Sequence, residues 1–347
     1  MNHSISVPFR IPKYSTYLDT AYAMGMIAGN FDIRNELCVS YVNLAAPSAL
    51  SEQSMPLYVI PWNDLHRFVE LGYLLKEQPS FNIATADNEL ILKCITDALE
   101  SNCYVYANVN EEHLPGTGAH AREIPSTHPC LINACDFLQQ KFTVYTYRKD
   151  GLFGPTYPSF SEVVMAIKDR GDPKKNRDIY YREPLIFFFK KNPCFKAVPF
   201  NKETIKTVFC EYVDSLPSSY RPTETMSYGH SAVAYFLERT LNWVQSGHSI
   251  DLRGTRALME HRNIMTGNIE FLIEKMRLPC GLAIKDGYRE VTTWAQKFHL
   301  LCFAVDMREE NHERNIYLLL EHLSHANEIQ RKDLEIMRIL SKALGMF

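Results

Sequence analysis

The sequence predicts an α+β fold in which a mixed N-terminal half is followed by an all-helical C-terminal half. The chain has 347 residues, enough for one large domain or two modest ones. Segments with apolar residues at every second position lie between residues 103 and 200, whereas the apolar spacing after residue 202 is helical. We therefore predict two domains, an α+β domain over residues 1–200 and a helical domain over residues 201–347.

The first hundred residues carry helical patterns separated by loops. Asn35 and Asp87 are suitable N-caps for the second and fourth of these helices. Residues 47–56 begin and end with proline and contain three serines, which predicts a loop. The predicted helices cover residues 17–28, 36–45, 62–75 and 89–100.

The pattern then changes to that of an antiparallel sheet. Residues 142–147 alternate most regularly, and residues 136–140 connect them to the preceding strand as a short hairpin. A continuous apolar run over residues 184–190 predicts a strand that is covered on both faces. Ser161 or Ser159 begins a helix that continues through residue 167. The predicted strands cover residues 104–109, 131–135, 142–147 and 184–190.

The C-terminal half carries only helical spacing. Its last segment places apolar residues along one side, as expected for a packing face or a dimer seam. The sequence therefore suggests that a second copy of the chain is one partner, in a homodimer formed through these helices. The predicted helices cover residues 205–216, 228–245, 255–276, 288–307 and 309–344.

Charge and hydropathy exclude several classes of protein. Lys and Arg number 37 and Asp and Glu number 40, giving a net charge of −3, so we expect no nucleic-acid partner and no attraction to an anionic membrane. No apolar run reaches the length of a membrane-spanning helix. Residues 1–12 lack the pattern of a secretory signal, so the sequence predicts a cytoplasmic protein.

The cysteines predict free thiols rather than disulfides or zinc ligands. There are nine, an odd number, and no two have C-x-x-C spacing. Cys130 and Cys135 form a local cluster with His120 and His128, but their spacing fits no common zinc motif. We therefore predict no metal site.

Three residues suggest a thiol-dependent site. Such a site requires a cysteine at a helix N-terminus, a histidine from an antiparallel sheet, and a residue that orients the histidine. Cys38 falls in the first turn of the helix that Asn35 would cap, His128 enters a strand, and Asp150 follows the next strand. The sequence therefore predicts Cys38 as nucleophile, His128 as general base and Asp150 as orienting residue.

Alternatives remain for each role. Cys38 has apolar neighbours, as core cysteines usually have, and Asp150 lies in a sequence typical of turns. Cys130 would share a strand face with His128 and is a second candidate nucleophile, while Thr146 is an alternative site residue on the next strand. Residues 111–122 form a long loop between strands, where His120 and Arg122 are candidate substrate-binding residues.

Several segments together resemble a known family. They are CYVYANVN (103–110), HPCLINACD (128–136), FTVYTY (142–147) and SFSEVVMAI (159–167). This succession resembles the butirosin-biosynthesis protein H-like N-terminal family, which accompanies nonribosomal-peptide and polyketide pathways. Residues 251–253 and 260–261 resemble the remainder of its full-length members.

The resemblance implies a papain-like cysteine-peptidase fold for the N-terminal half and antibiotic biosynthesis as the context. Members include acyltransferases that move an acyl or aminoacyl group from a carrier-protein thioester to an amine or alcohol. This implies a carrier protein and a small acceptor as partners. It implies no cofactor of the chain's own, since the phosphopantetheine would be bound to the carrier.

The chain also departs from the family pattern, so the sequence leaves its enzyme status open. His128 is the residue that the resemblance carries over, whereas Pro129 and Thr146 occupy positions where the family has acidic residues. The first hypothesis is an acyltransferase with a Cys/His site. The alternative is a catalytically inactive papain-like binding or scaffold protein that interacts with a biosynthetic assembly line.

Overall fold

The computed structural model describes residues 4–47, 56–60, 65–82, 86–169, 185–195, 199–217, 226–278, 281–307 and 311–346. The chain forms two compact units. The first unit comprises Met1–Phe31 and Asp64–Lys196, and the second comprises Asp32–Asn63 and Ala197–Phe347. These bounds differ from the predicted division at residue 200, because Asp32–Asn63 falls in the same unit as Ala197–Phe347.

Helices and an antiparallel sheet are both present, which confirms the α+β class. The helices are α1 (Leu18–Asn30), α2 (Arg34–Ser40), α3 (Leu65–Glu70), α4 (Asn88–Glu100), α5 (Gly118–Arg122), α6 (Phe160–Lys168), α7 (Lys202–Val213), α8 (Gly229–Gln245), α9 (Leu252–Met276), α10 (Gly281–Asp306), α11 (His312–Ser324) and α12 (Ala326–Met346). The strands are β1 (Ser4–Ser6), β2 (Asn43–Pro47), β3 (Tyr58–Ile60), β4 (Leu74–Asn82), β5 (Cys103–Asn110), β6 (Thr127–Asp136), β7 (Lys141–Tyr147), β8 (Phe153–Thr156), β9 (Leu185–Lys191) and β10 (Met226–Tyr228).

The first unit is built on an antiparallel sheet with strand order β4-β9-β5-β6-β7-β8, and β1 pairs with the far end of β6. Tyr106 of β5, Leu131 of β6 and Tyr145 of β7 are in register and therefore share one face. Tyr22 of α1 contacts the Tyr106 ring, with centroids 6.0 Å apart. Helix α1 therefore packs on this face, and its residues Thr20–Ile27 are all buried.

Local sequence signals explain where the helices of this unit begin. The Asp87 side chain accepts a hydrogen bond from the backbone N–H of Leu90, so α4 begins where the sequence predicts. At α6, Ser159 and Glu162 form a capping box in which each side chain bonds the other residue's backbone N–H. This resolves the choice between Ser159 and Ser161 as the helix start.

Three helix predictions are wrong in part. The prediction over residues 36–45 extends too far, because α2 ends at Ser40 and β2 begins at Asn43. The prediction over residues 62–75 extends too far, because α3 ends at Glu70 and the chain turns at Gly72, whose φ of +80° suits glycine. Residues 62–64 lie outside the described residues. The predicted loop over 47–56 begins on β2, which ends at Pro47, and its residues 48–55 also lie outside the description.

The described part of the predicted helix over residues 309–344 is two helices, α11 and α12, with His325 between them, and residues 309–310 lie outside the described residues. The Trp294 indole N–H donates to the carbonyl oxygen of His322 at 3.3 Å, and the His325 N–H donates to the same oxygen. In a regular α-helix this oxygen would accept from the N–H of Ala326. Because it accepts from Trp294 and His325 instead, α11 ends here.

The second unit is a helical assembly with a small antiparallel sheet of order β10-β2-β3. Its interior holds a polar cluster of Arg262, Asp333, Tyr212 and Tyr288. The guanidinium of Arg262 lies 2.9 Å from the Asp333 carboxylate, and both side chains are at most 3% exposed. Both tyrosine hydroxyls accept hydrogen bonds from Arg262. These bonds offset part of the cost of burying the charged pair.

Among the described residues, no helix combines the length and apolar character that crossing a lipid bilayer requires.

Candidate active site

His128 lies near the start of β6, where it is paired with Val109 of β5. Its Nδ1 atom is 2.9 Å from Oε2 of Glu111, and the Ser126 hydroxyl is 3.4 Å from the same nitrogen. With Nδ1–H donating to the carboxylate, Nε2 carries the lone pair. The imidazole side chain is 45% exposed, so it combines a fixed orientation with access to solvent.

Glu111 directly follows β5, as the first residue of a short 3₁₀ turn, Glu111–His113. Its side chain is only 6% exposed. Its backbone N–H donates to the carbonyl of Ser126 at 2.8 Å, and the Asn110 side-chain oxygen accepts from the N–H groups of Glu112 and Ser126. These bonds fix the turn against the start of β6 and so fix the carboxylate.

Thr146 of β7 holds the other carboxylate oxygen. Its hydroxyl donates to Oε1 of Glu111, and its side chain is wholly buried. One carboxylate therefore joins His128 of β6 to Thr146 of β7. This arrangement of base, carboxylate and supporting hydroxyl resembles the base-and-orienter half of a catalytic triad in its chemistry.

The hydrogen bond that His128 donates to Glu111 raises the pKa of His128 above its ordinary value of 6.5. Partial burial opposes this effect, because it disfavours the charged imidazolium, and the Glu111 charge adds to the rise. An imidazole of this kind can accept a proton at Nε2 and have the resulting charge stabilised by the carboxylate. The site can therefore perform general acid–base chemistry.

The predicted nucleophile Cys38 belongs to the second unit. It lies in the second turn of α2, which begins at Arg34, so it lacks the first-turn position that would stabilise a thiolate. It is wholly buried, and burial raises the pKa of its thiol from 9.0 to about 12. These are the properties of a core cysteine.

The alternative nucleophile Cys130 shares a sheet face with His128, because two residues separate like-facing positions on a strand. It is also wholly buried, and burial raises its pKa, with a further contribution from the nearby Glu111 charge. The structure therefore brings this sulfur close to the His128 pair but keeps it away from solvent.

Asp150 does not orient His128. Its carboxylate forms an ion pair with Arg148 and accepts the backbone N–H of Leu152 at 3.0 Å, and the Arg148 bond lowers its pKa. It therefore closes the turn between β7 and β8, and the orienting carboxylate is Glu111. Thr146, the alternative site residue, is part of the site as the hydroxyl that holds Glu111.

His120 and Arg122 lie on α5, which packs beside the Glu111–His113 turn. The His120 Nδ1–H donates to the carbonyl of Glu112 at 2.7 Å, and the Arg122 Nε–H donates to that of Gly118 at 3.1 Å. Both side chains are therefore engaged with the loop itself. Their role in substrate binding stays a prediction.

Glu111 is absent from the predicted site residues, because the sequence pattern indicates only a loop over residues 111–122 and no partner for its carboxylates. A signal was available. In an antiparallel pair, the residues that follow one strand lie beside those that begin the next. Glu111 follows β5 and His128 begins β6, so a carboxylate at that position is a natural partner for the histidine.

A groove of about 630 Å³ lies elsewhere in the first unit, along α4 and α6. Its lining is mixed, with Leu92, Phe160 and Met165 on the apolar side and Lys168 among the polar groups. Neither Glu111 nor His128 lines it. The groove is therefore separate from the acid–base pair.

Within the part of the chain that the structure describes, no group of three or more His, Cys, Asp or Glu side chains is arranged to hold a metal ion. No protein-family model matches the chain, and no curated protein matches it.

Proposed function

We propose that the chain is an acyltransferase-like protein of natural-product biosynthesis in which His128 is the general base. It would move an acyl or aminoacyl group from a carrier-protein thioester to an amine or alcohol. The observation that carries the proposal is the half-exposed His128 imidazole held by the buried Glu111 carboxylate. The family resemblance suggests the acyl donor, and the hydrogen-bonded, half-exposed imidazole supports a role for His128 as the base.

The proposed reaction is a direct transfer. The acceptor amine or alcohol attacks the thioester carbonyl carbon while His128 Nε2 takes its proton. The C–S bond then breaks, the carrier thiol leaves, and the imidazolium returns the proton to the leaving sulfur. Glu111 stabilises the imidazolium between these two steps, and Thr146 holds Glu111 in place.

Direct transfer is favoured over an acyl-enzyme because both candidate thiols are unsuited to attack. Cys38 and Cys130 are wholly buried, and burial raises the pKa of each. A thiol nucleophile reacts as the thiolate and must reach its substrate. The base needs no protein thiol in the direct route.

We also propose that the first unit has a papain-like arrangement. Helix α1 packs on an antiparallel sheet that carries the histidine, which agrees with such a fold. Thr146 stands where the family pattern has an acidic residue, but the Glu111 carboxylate lies between Thr146 and His128. The lost carboxylate would thus be replaced from a different element.

The test is an assay of the full-length chain with an aminoacyl-pantetheine thioester and a small primary amine, with the amide product measured by mass spectrometry. His128→Gln removes the base, and we expect product formation to fall by about 10²–10⁴-fold. Cys38→Ala should retain activity. His325→Gln, which alters an exposed histidine of the second unit, is the matched control.

Intact-protein mass spectrometry of the same reactions decides the route. Unmodified protein with amide product supports direct transfer. An acyl increment on Cys38 or Cys130, lost with the corresponding alanine variant, would show a covalent route instead. Equal activity of His128→Gln and the wild-type chain would refute the proposed base.

A second candidate function is the inactive papain-like binding or scaffold protein. The burial of both candidate thiols favours it, because a chain that has lost thiol catalysis can retain its surface for a partner. This candidate predicts no product with any acceptor. It also predicts retention of an acyl-loaded carrier protein on the immobilised chain, unchanged by His128→Gln.

A further inference from the structure

The hydroxyl of Tyr22 lies between two strands of the sheet. Tyr22 is wholly buried on α1, and its Oη lies 2.7 Å from the carbonyl oxygen of Pro129 on β6 and 3.1 Å from that of Tyr145 on β7. A tyrosine hydroxyl has one hydrogen, which these two carbonyls share. The side chain therefore occupies a place where two strands normally bond each other.

The pairing of β6 with β7 ends at this point. The last partners in the register are Leu131 and Tyr145, although β6 extends back to Thr127 and β7 extends on to Tyr147. Pro129 has no N–H to donate to a neighbouring strand. The proline and the Tyr22 hydroxyl together account for the end of the ladder.

The Glu111 carboxylate bridges the same two strands just beyond the Tyr22 hydroxyl. Oε2 accepts from His128 of β6, and Oε1 accepts from Thr146 of β7. Continued pairing would bring Cys130 directly opposite Thr146, as the register of Leu131 with Tyr145 shows. The position of the carboxylate thus depends on how far apart β6 and β7 lie here.

We propose that Tyr22 is a positioning residue for the general base, because its hydroxyl sets the strand separation at which one carboxylate reaches both His128 and Thr146. This inference rests on the proposed function, in which His128 is the base. It assigns Tyr22 a role through Glu111 and no contact with substrate.

The electrostatic environment agrees with a hydroxyl that remains a donor. Burial raises the pKa of Tyr22 well above its ordinary value, and the nearby Cys130 and Glu111 raise it further. The hydroxyl therefore stays protonated throughout the range in which His128 titrates.

The experiment is an NMR titration of the His128 imidazole in the full-length chain, with the signal assigned by its loss in His128→Gln. Tyr22→Phe removes the hydroxyl and keeps the ring. We expect the His128 pKa to fall by about half a unit or more as its bond to Glu111 weakens. Tyr104→Phe is the matched control, since Tyr104 is also wholly buried but bonds Pro8 and Asn30.

Replacing Tyr22 by 4-fluorophenylalanine provides a second variant, because the fluorine nearly fills the space of the hydroxyl but cannot donate to the carbonyls of Pro129 and Tyr145. It should lower the His128 pKa in the same direction, and it decides the matter if Tyr22→Phe does not fold. The inference is overturned if the folded Tyr22→Phe chain titrates like Tyr104→Phe, or, when Tyr22→Phe does not fold, if the fluorinated chain titrates like the wild type.

The titration needs no substrate, so it separates this inference from the proposed function. A lowered His128 pKa in a chain whose wild type makes no product would uphold the role of Tyr22 and refute the acyl-transfer proposal. If His128→Gln loses activity but Tyr22→Phe leaves the His128 pKa unchanged, the acyl-transfer proposal is supported and the role of Tyr22 is refuted.

Discussion

A buried carboxylate bonded to hydroxyl groups occurs in both units, and the two differ in the basic side chain that the carboxylate holds. In the first unit, Glu111 bonds Thr146 and the imidazole of His128, which is 45% exposed. In the second unit, Asp333 bonds Tyr212 and the guanidinium of Arg262, which is 3% exposed. The two clusters contain similar groups, but of the two basic side chains only His128 is accessible to solvent.

The difference indicates what each cluster can do. Arginine keeps its charge at any ordinary pH, so the Arg262 pair can only fix the helices that carry it. Histidine gains and loses a proton near neutral pH, so the Glu111 pair can exchange a proton with a bound molecule. We therefore interpret the second cluster as structural and the first as chemical.

The largest expected effect on stability comes from breaking the buried pair of Arg262 and Asp333. Arg262→Met leaves the Asp333 carboxylate buried without its cation, which should lower the free energy of unfolding by about 3–5 kcal/mol. Urea unfolding of the full-length chain measures this. A loss below about 1 kcal/mol would show that water reaches Asp333, and the contrast between the two units would disappear.

Two variants serve as controls for that measurement. Arg262→Met combined with Asp333→Leu removes both charges and should recover part of the loss. Lys93→Met removes one partner of the exposed Lys93–Asp97 pair, where we expect no resolvable change.

A smaller effect is expected in the first unit from Thr146→Val. This change leaves Oε1 of the buried Glu111 without its donor, which should cost about 1–2 kcal/mol in urea unfolding. Thr96→Val, on α4, removes a hydroxyl that bonds only its own helix and should stay within about 0.5 kcal/mol. Equal losses in the two variants would contradict a special role for Thr146.

The smallest effect is the pH dependence of stability that the His128 pair contributes. Because folding raises the pKa of His128, the pair stabilises the fold fully below the unfolded value of about 6.5 and loses this contribution as pH rises through the folded pKa. The partial exposure of the ring limits the pH-dependent part to under about 1 kcal/mol. Unfolding of wild type and Glu111→Gln between pH 5 and pH 9 should therefore converge as pH rises, apart from a constant offset, whereas curves that diverge would contradict the assignment.

Much of the fold could be predicted because local signals and tertiary packing agree. The alternation over residues 142–147 becomes β7, and the Asp87 cap begins α4. The prediction over residues 62–75 failed because the apolar spacing of a helix followed by a strand resembles one longer helix, and only Gly72 marks the turn. The break at His325 depends on a bond from the distant Trp294, which no local pattern shows.

The site could likewise be predicted only in part, because its contacts join residues that are distant in the sequence. His128 carries its own signal at the start of a strand, and the structure gives it a carboxylate partner. That partner is Glu111 rather than Asp150, because the strand register sets which loop residues meet, and register cannot be read from composition. The burial of Cys38 likewise follows from packing within the second unit, where the Asn268 side chain bonds the α2 backbone.

The role of Glu111 is tested most directly by the pKa of His128, measured by NMR in the wild-type chain and in Glu111→Gln. We expect a wild-type value above 6.5, because the carboxylate stabilises the imidazolium. We expect a lower value in Glu111→Gln, where burial remains and disfavours the charged ring. A wild-type value at or below 6.5, or the same value in both chains, would contradict the claim that Glu111 holds His128 as a general base.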